Sequence, residues 1–104
     1  MASGILGQTD ITSVNTDTSI YTVPSAKTAS LTLSLVNRAS TSALIRIGLC
    51  ASGTIGNSEF IEFETVLAAK GVLERTGIVL QATKQIVVRT DTANISVSVY
   101  GFEE

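Results

Sequence analysis

The feature that most constrains this chain is a two-residue rhythm of apolar and polar side chains. In "SLTLSLVN" (residues 30–37), Leu31, Leu33 and Leu35 alternate with Ser30, Thr32 and Ser34. In "ALIRIGLC" (43–50), Ile45, Ile47 and Leu49 share one side, with Arg46 and Gly48 on the other. In "NISVSVYGF" (94–102), Ile95, Val97 and Val99 alternate with Ser96, Ser98 and Tyr100. Successive side chains of a strand point to opposite faces, so each segment predicts a strand with one buried face and one polar face. Parallel strands are covered on both sides and read as continuous apolar runs, so this rhythm belongs to antiparallel sheets.

Four further segments carry the rhythm less regularly: "SIYTV" (19–23), "EFIEFETVL" (59–67), "GVLERTGIVL" (71–80) and "KQIVVRT" (84–90). Turn chemistry separates them. The only proline, Pro24, predicts a turn in "VPSAK" after an edge strand, because proline has no N–H to give to a ladder. "NRASTSA", "ASGTIGNS", "QATK" and "TDTAN" supply the other connections, and "ASGTIGNS" is the longest. The one helix-friendly stretch, "TVLAAKGVL", reads better as two strands joined at Lys70-Gly71. Strands spaced about 8–12 residues apart predict an antiparallel β-sandwich of about eight strands, jelly-roll or immunoglobulin-like. At 104 residues the chain is long enough to bury a core without staples. The sandwich is expected over residues 11–104. Residues 1–10, with Ile5 and Leu6 among small residues, are expected as an arm that orders on docking or as a first edge strand.

Composition then narrows the chemistry. There is no histidine, so Ser-His-Asp and Cys-His arrangements are excluded, and with one cysteine a zinc site has no ligand set. "ASGTIGNS" lacks the Lys-Ser/Thr pair of a phosphate-binding loop. No cofactor is expected. The net charge is -2 and no basic run exists, so nucleic acid is not an expected partner. Apolar runs are too short for a membrane helix, and the first residues carry no secretion-signal pattern. Charged residues are only 15% of the chain, against about 25% in average domains. Ser and Thr must cover much of the surface. Cys50 is expected to act as a small buried hydrophobe.

Three groups of polar residues invite a chemical reading. Glu62 and Glu64 could form a glycosidase couple or hold a hard cation. The plainer expectation puts both on the solvent face, with Ile61 and Phe63 pointing inward. "DTAN" (91–94) could offer oxygens to calcium, but Asp and Asn favour plain turns. The third group is Glu74-Arg75, embedded in "KGVLERTGIVL". Neighbours on a strand face opposite ways, so Val72, Glu74 and Thr76 share one side and Leu73, Arg75 and Gly77 the other. Gly77 predicts a bulge or bend. Arg75 is expected to meet a carboxylate from another strand or another subunit, a pairing that suits its planar guanidinium.

Taken as a set, four motifs resemble small virion proteins of tailed phages, notably those of marine and cyanobacterial hosts. They are "YTVP" (Tyr21 to Pro24), "VNR" (Val36 to Arg38), "VLERTG" (Val72 to Gly77) and "VSVYGFEE" (Val97 to Glu104). The resemblance runs from about residue 10 to the end. One departure is Ala26 in "VPSAK", where that pattern would carry glycine. The resemblance implies no enzymatic activity; it implies a structural protein located in the virion. The leading expectation is a capsid decoration protein on the capsid surface, a homotrimer whose partners are the major capsid protein and copies of itself. The alternative is a tail fibre, baseplate or neck module, with tail proteins or the host surface as partners. Glu74, Arg75, Arg38, Ile5 and Leu6 are the expected interface residues.

Overall fold

The computed structural model describes residues 2–104. Eight strands follow one another: β1 (Ser3–Ile11), β2 (Thr18–Thr22), β3 (Ala29–Asn37), β4 (Ala43–Cys50), β5 (Phe60–Leu67), β6 (Val72–Leu80), β7 (Gln85–Thr90) and β8 (Ile95–Glu103). Each strand of the first half pairs antiparallel with one of the second: β1 with β8, β2 with β7, β3 with β6, β4 with β5. The chain is thus a long two-stranded ribbon. Pairing of β3 with β8 and of β4 with β7 rolls that ribbon into two four-stranded sheets. Sheet A has the order β1-β8-β3-β6 and sheet B the order β2-β7-β4-β5. This wrapping is the jelly roll. Of the two topologies expected, the immunoglobulin order is not the one adopted.

The alternating side chains build the core as expected. Leu31, Leu33 and Leu35 meet Val97 and Val99 within sheet A, and all are buried. Ile45, Ile47, Ile86 and Val88 face them from sheet B. Residues 3–11 form β1, an edge strand, with Ile5 turned out and Leu6 packed against the core.

Regularity is unevenly spread. The two central pairings, β3–β8 and β4–β7, run without a register shift. Every edge strand carries one: β1 between Ile5 and Gly7, β2 between Ser19 and Tyr21, β6 opposite Leu31–Leu33, and β5 twice, opposite Ile45–Gly48. In β6 the extra residue falls where the sequence placed it, at Gly77, whose φ of 72° glycine adopts freely. A bulge adds twist and interrupts the ladder, which blunts an exposed strand edge. In the turn after Pro24, Lys27 N donates to the Pro24 carbonyl (3.2 Å), and Ala26 takes φ 63°, the left-handed conformation that glycine adopts without strain.

Candidate interaction surfaces

The Glu74-Arg75 pair divides as strand geometry requires. Arg75 turns toward the other sheet and forms an ion pair with Glu62 of β5. It therefore latches edge strand β6 of sheet A to edge strand β5 of sheet B. Glu62 is well covered, its side chain 14% exposed, and it also accepts a hydrogen bond from the Thr65 hydroxyl. Glu74 points outward and accepts a hydrogen bond from the Tyr100 hydroxyl at 3.0 Å. The carboxylate partner thus comes from another strand of the same chain.

The β5 bulges overturn one expectation. Glu62 stands opposite buried Ile47, and Thr65 opposite buried Ile45, so both lie on the inner side of sheet B. Two residues, Phe63 and Glu64, are fitted between them, with Glu64 at φ 54°. Phe63 is thereby turned out, 57% exposed, rather than in, and Glu62 is turned in rather than out. The two carboxylates sit on opposite sides of the strand, each with its own arginine: Glu62 with Arg75, Glu64 with Arg46. They do not face a common space. Asp91 accepts hydrogen bonds from Leu44 N (2.8 Å) and the Thr92 hydroxyl (3.0 Å), which makes "DTAN" a turn tied to β4.

Residues of the four sequence motifs act as polar locks. Tyr21 and Glu103, 82 positions apart, are buried and hydrogen-bonded to each other. Burial pushes the Tyr21 hydroxyl well above the ordinary phenol range, and the bond to Glu103 and its charge add to this. Asn37 is fully buried and donates to the carbonyls of Thr41 (2.9 Å) and Leu67 (3.1 Å), while its own oxygen accepts from Ala39 N (2.9 Å). It pins the β3–β4 and β5–β6 turns together. Arg38 pairs with Asp10 at the surface. Sequence reasoning missed Tyr21–Glu103 and Asn37, because nothing in a strand's rhythm says which distant strand will cover it.

The outer face of sheet A is ordered in rows that cross the strands. One row is Ser3, Phe102, Ser30 and Val79; the next holds Ile5, Tyr100 and Thr32. A third is Gln8, Ser98, Ser34 and Glu74; the last is Asp10, Ser96, Val36 and Val72. Ile5, Val72 and Val79 are each more than 60% exposed, and Phe102 is 41% exposed. The charges on this face are Asp10, paired with Arg38, and Glu74, hydrogen-bonded by Tyr100.

The outer face of sheet B differs. Loop 51–59 folds over Gly48, Cys50 and Val87, all buried although they point away from the sandwich core. Gly48 leaves room for Ile55: a Cβ there would stand 2.6 Å from Ile55 Cγ2. Ile55 N donates to Asp17 (3.0 Å), and Gly56 N (2.7 Å) and Ala51 N (3.0 Å) donate to Glu59, holding that carboxyl below its usual range. Burial, then the nearby Glu59 carboxylate, push the Cys50 thiol up to about 11. Beyond the loop, Arg46 and Arg89 stand directly opposite each other on β4 and β7. Like charges so placed repel, and Glu64 and Asp17 offset them. Arg46 also lies over the Phe63 ring (4.6 Å), which meets Phe60 edge to face.

No protein-family model matches the chain, and no curated protein matches it in sequence.

Proposed function

We propose that this chain is a non-enzymatic structural protein of a tailed-phage virion, a capsid decoration protein. In this reading it forms a homotrimer on the capsid shell and stabilises it, with the major capsid protein and copies of itself as partners. The observation that carries the reading is the outer face of sheet A: broad, nearly free of unpaired charge, and set with exposed Ile5, Val72, Val79 and Phe102. Such a surface suits adhesion over area, in which modest contacts are multiplied by symmetry. The motif residues support the same reading, since they lock strands together rather than converge on a reacting centre. No cofactor enters this reading.

One observation favours the tail alternative. Exposed Phe63, backed by Phe60 and Arg46, offers an aromatic contact of the kind a receptor-binding tip, fibre or baseplate module uses. Copy number separates the two. Quantitative mass spectrometry of purified particles should find this chain at a ratio to the major capsid protein typical of shell components. A far lower ratio moves it to the tail or neck, and absence from particles ends both readings.

A further inference from the structure

We propose that copies of this chain meet through the outer face of sheet A, which turns inward in the assembled oligomer. The inference rests on the reading above for the association of copies and gives it a surface; a face that meets its own copy makes a two-fold pair, so the oligomer it specifies is a dimer in place of that reading's trimer. Elimination gives the first argument. All four edge strands, β1, β2, β5 and β6, are bulged, whereas both central pairings are regular. Two copies joining sheet edge to sheet edge would have to align interrupted, over-twisted ladders. Much of the outer face of sheet B is covered by the chain's own loop 51–59. Its open remainder, with exposed Leu44, Phe63 and Val66 around Arg46, Arg89 and Glu64, is smaller by the area the loop covers.

Charge gives the second argument. The outer face of sheet A meets an identical face without conflict. Ser, Thr and Gln fill nearly half of its rows, and its two carboxylates are already engaged, Asp10 by Arg38 and Glu74 by Tyr100. Apolar groups stand at both ends, Val36 and Val72 at one and Ile5, Phe102 and Val79 at the other, with hydroxyls between. The same balance on the facing copy can be matched group for group.

Size gives the third. Strands about 4.8 Å apart and rows about 6.8 Å apart make a face on the order of 500 Å² in plan, or ~1,000 Å² for two copies, where specific interfaces begin.

The test is the mass of the purified chain in solution. Interfaces of this size hold at about micromolar Kd, so sedimentation velocity over ~1–100 µM is the appropriate range. Wild type should sediment as a dimer of the 10.9 kDa chain, and a trimer overturns the proposal. Val79→Lys and Ile5→Lys, both at exposed positions, should weaken association at least tenfold with unchanged melting curves. Val66→Lys, equally exposed on the outer face of sheet B, should leave it intact. As an independent check, Ser98→Cys near the middle of the face should form intermolecular disulfides on mild oxidation, while buried Cys50 does not. Wild type at 10.9 kDa throughout, or dissociation by Val66→Lys but not by Val79→Lys, overturns the proposal. A chain abundant in particles yet monomeric in solution defeats this inference and leaves the virion reading standing. A self-associating chain absent from particles does the reverse.

Discussion

The two outer faces of the sandwich start from the same kind of alternating strand and end in different states. On sheet A the outward positions of β3 and β8 include Ser30, Thr32, Ser34, Ser96 and Ser98, small and half-exposed, beside Val36, Tyr100 and Phe102. On sheet B the outward positions of β4 and β7 include Gly48, Cys50 and Val87, which form a second, smaller apolar cluster under loop 51–59. The long loop explains the difference. A connection of that length can fold back onto the sheet that emits it, provided one strand residue lacks a side chain and the loop carries an apolar anchor. Gly48 and Ile55 meet those two conditions. Sheet A has no such loop, so its face stays free for other molecules.

Filling the space under the loop should break the comparison most sharply. Gly48→Val places a side chain against Ile55 and Cys50, and overpacking of this kind costs about 1–3 kcal/mol. Ser34→Val, at an outward position of sheet A, should stay within about 0.5 kcal/mol. Urea denaturation measures both. Equal losses would mean that the loop does not hold sheet B as described.

The latch between the sheets comes next. Arg75→Ala leaves the Glu62 carboxylate largely covered and without its cation, and should destabilise by about 1–2 kcal/mol. Lys84→Ala, which breaks no ion pair, should change stability by less than about 0.5 kcal/mol. Indistinguishable melting temperatures for the two would show that the latch contributes nothing.

Freeing the loop without filling its space is a gentler change. Asp17→Ala removes the acceptor for Ile55 N and the partner of Arg89, at a cost of about 1 kcal/mol. Amide exchange at Ile55 should speed up, while exchange at Val97 in sheet A stays slow.

The last effect is a pH slope. The Cys50 thiol is raised to about 11 in the folded chain, above its unfolded value of about 8.5. The fold favours the protonated thiol, so this contribution is complete below the unfolded pKa and is lost as pH rises toward the folded one. Stability should decline between about pH 8.5 and 11, and Cys50→Ala should flatten part of that decline. The same slope in both proteins would remove Cys50 as its source.

Periodicity was enough to establish strands β2 to β8, their antiparallel pairing, the inward positions of β3, β4 and β8, and the bulge at Gly77, while residues 1–10 stayed open between an arm and the edge strand they form. These are local facts. A side chain every second residue faces the core, and a glycine without Cβ relaxes the backbone wherever it stands. The opposite orientations of Glu74 and Arg75 follow from the same geometry. What the chain could not state locally was which strand covers which. The choice of jelly roll over immunoglobulin order depends on pairings such as β1 with β8, between segments some ninety residues apart. The bulges of β5 had no glycine to announce them, and they exchanged the orientations of Glu62 and Phe63. Tyr21 met Glu103, Arg75 met Glu62, and Ile55 came to rest over Gly48 only once the ribbon had rolled. Alternation fixes which way a side chain points along its own strand; only the closing of two sheets on each other decides what it then touches.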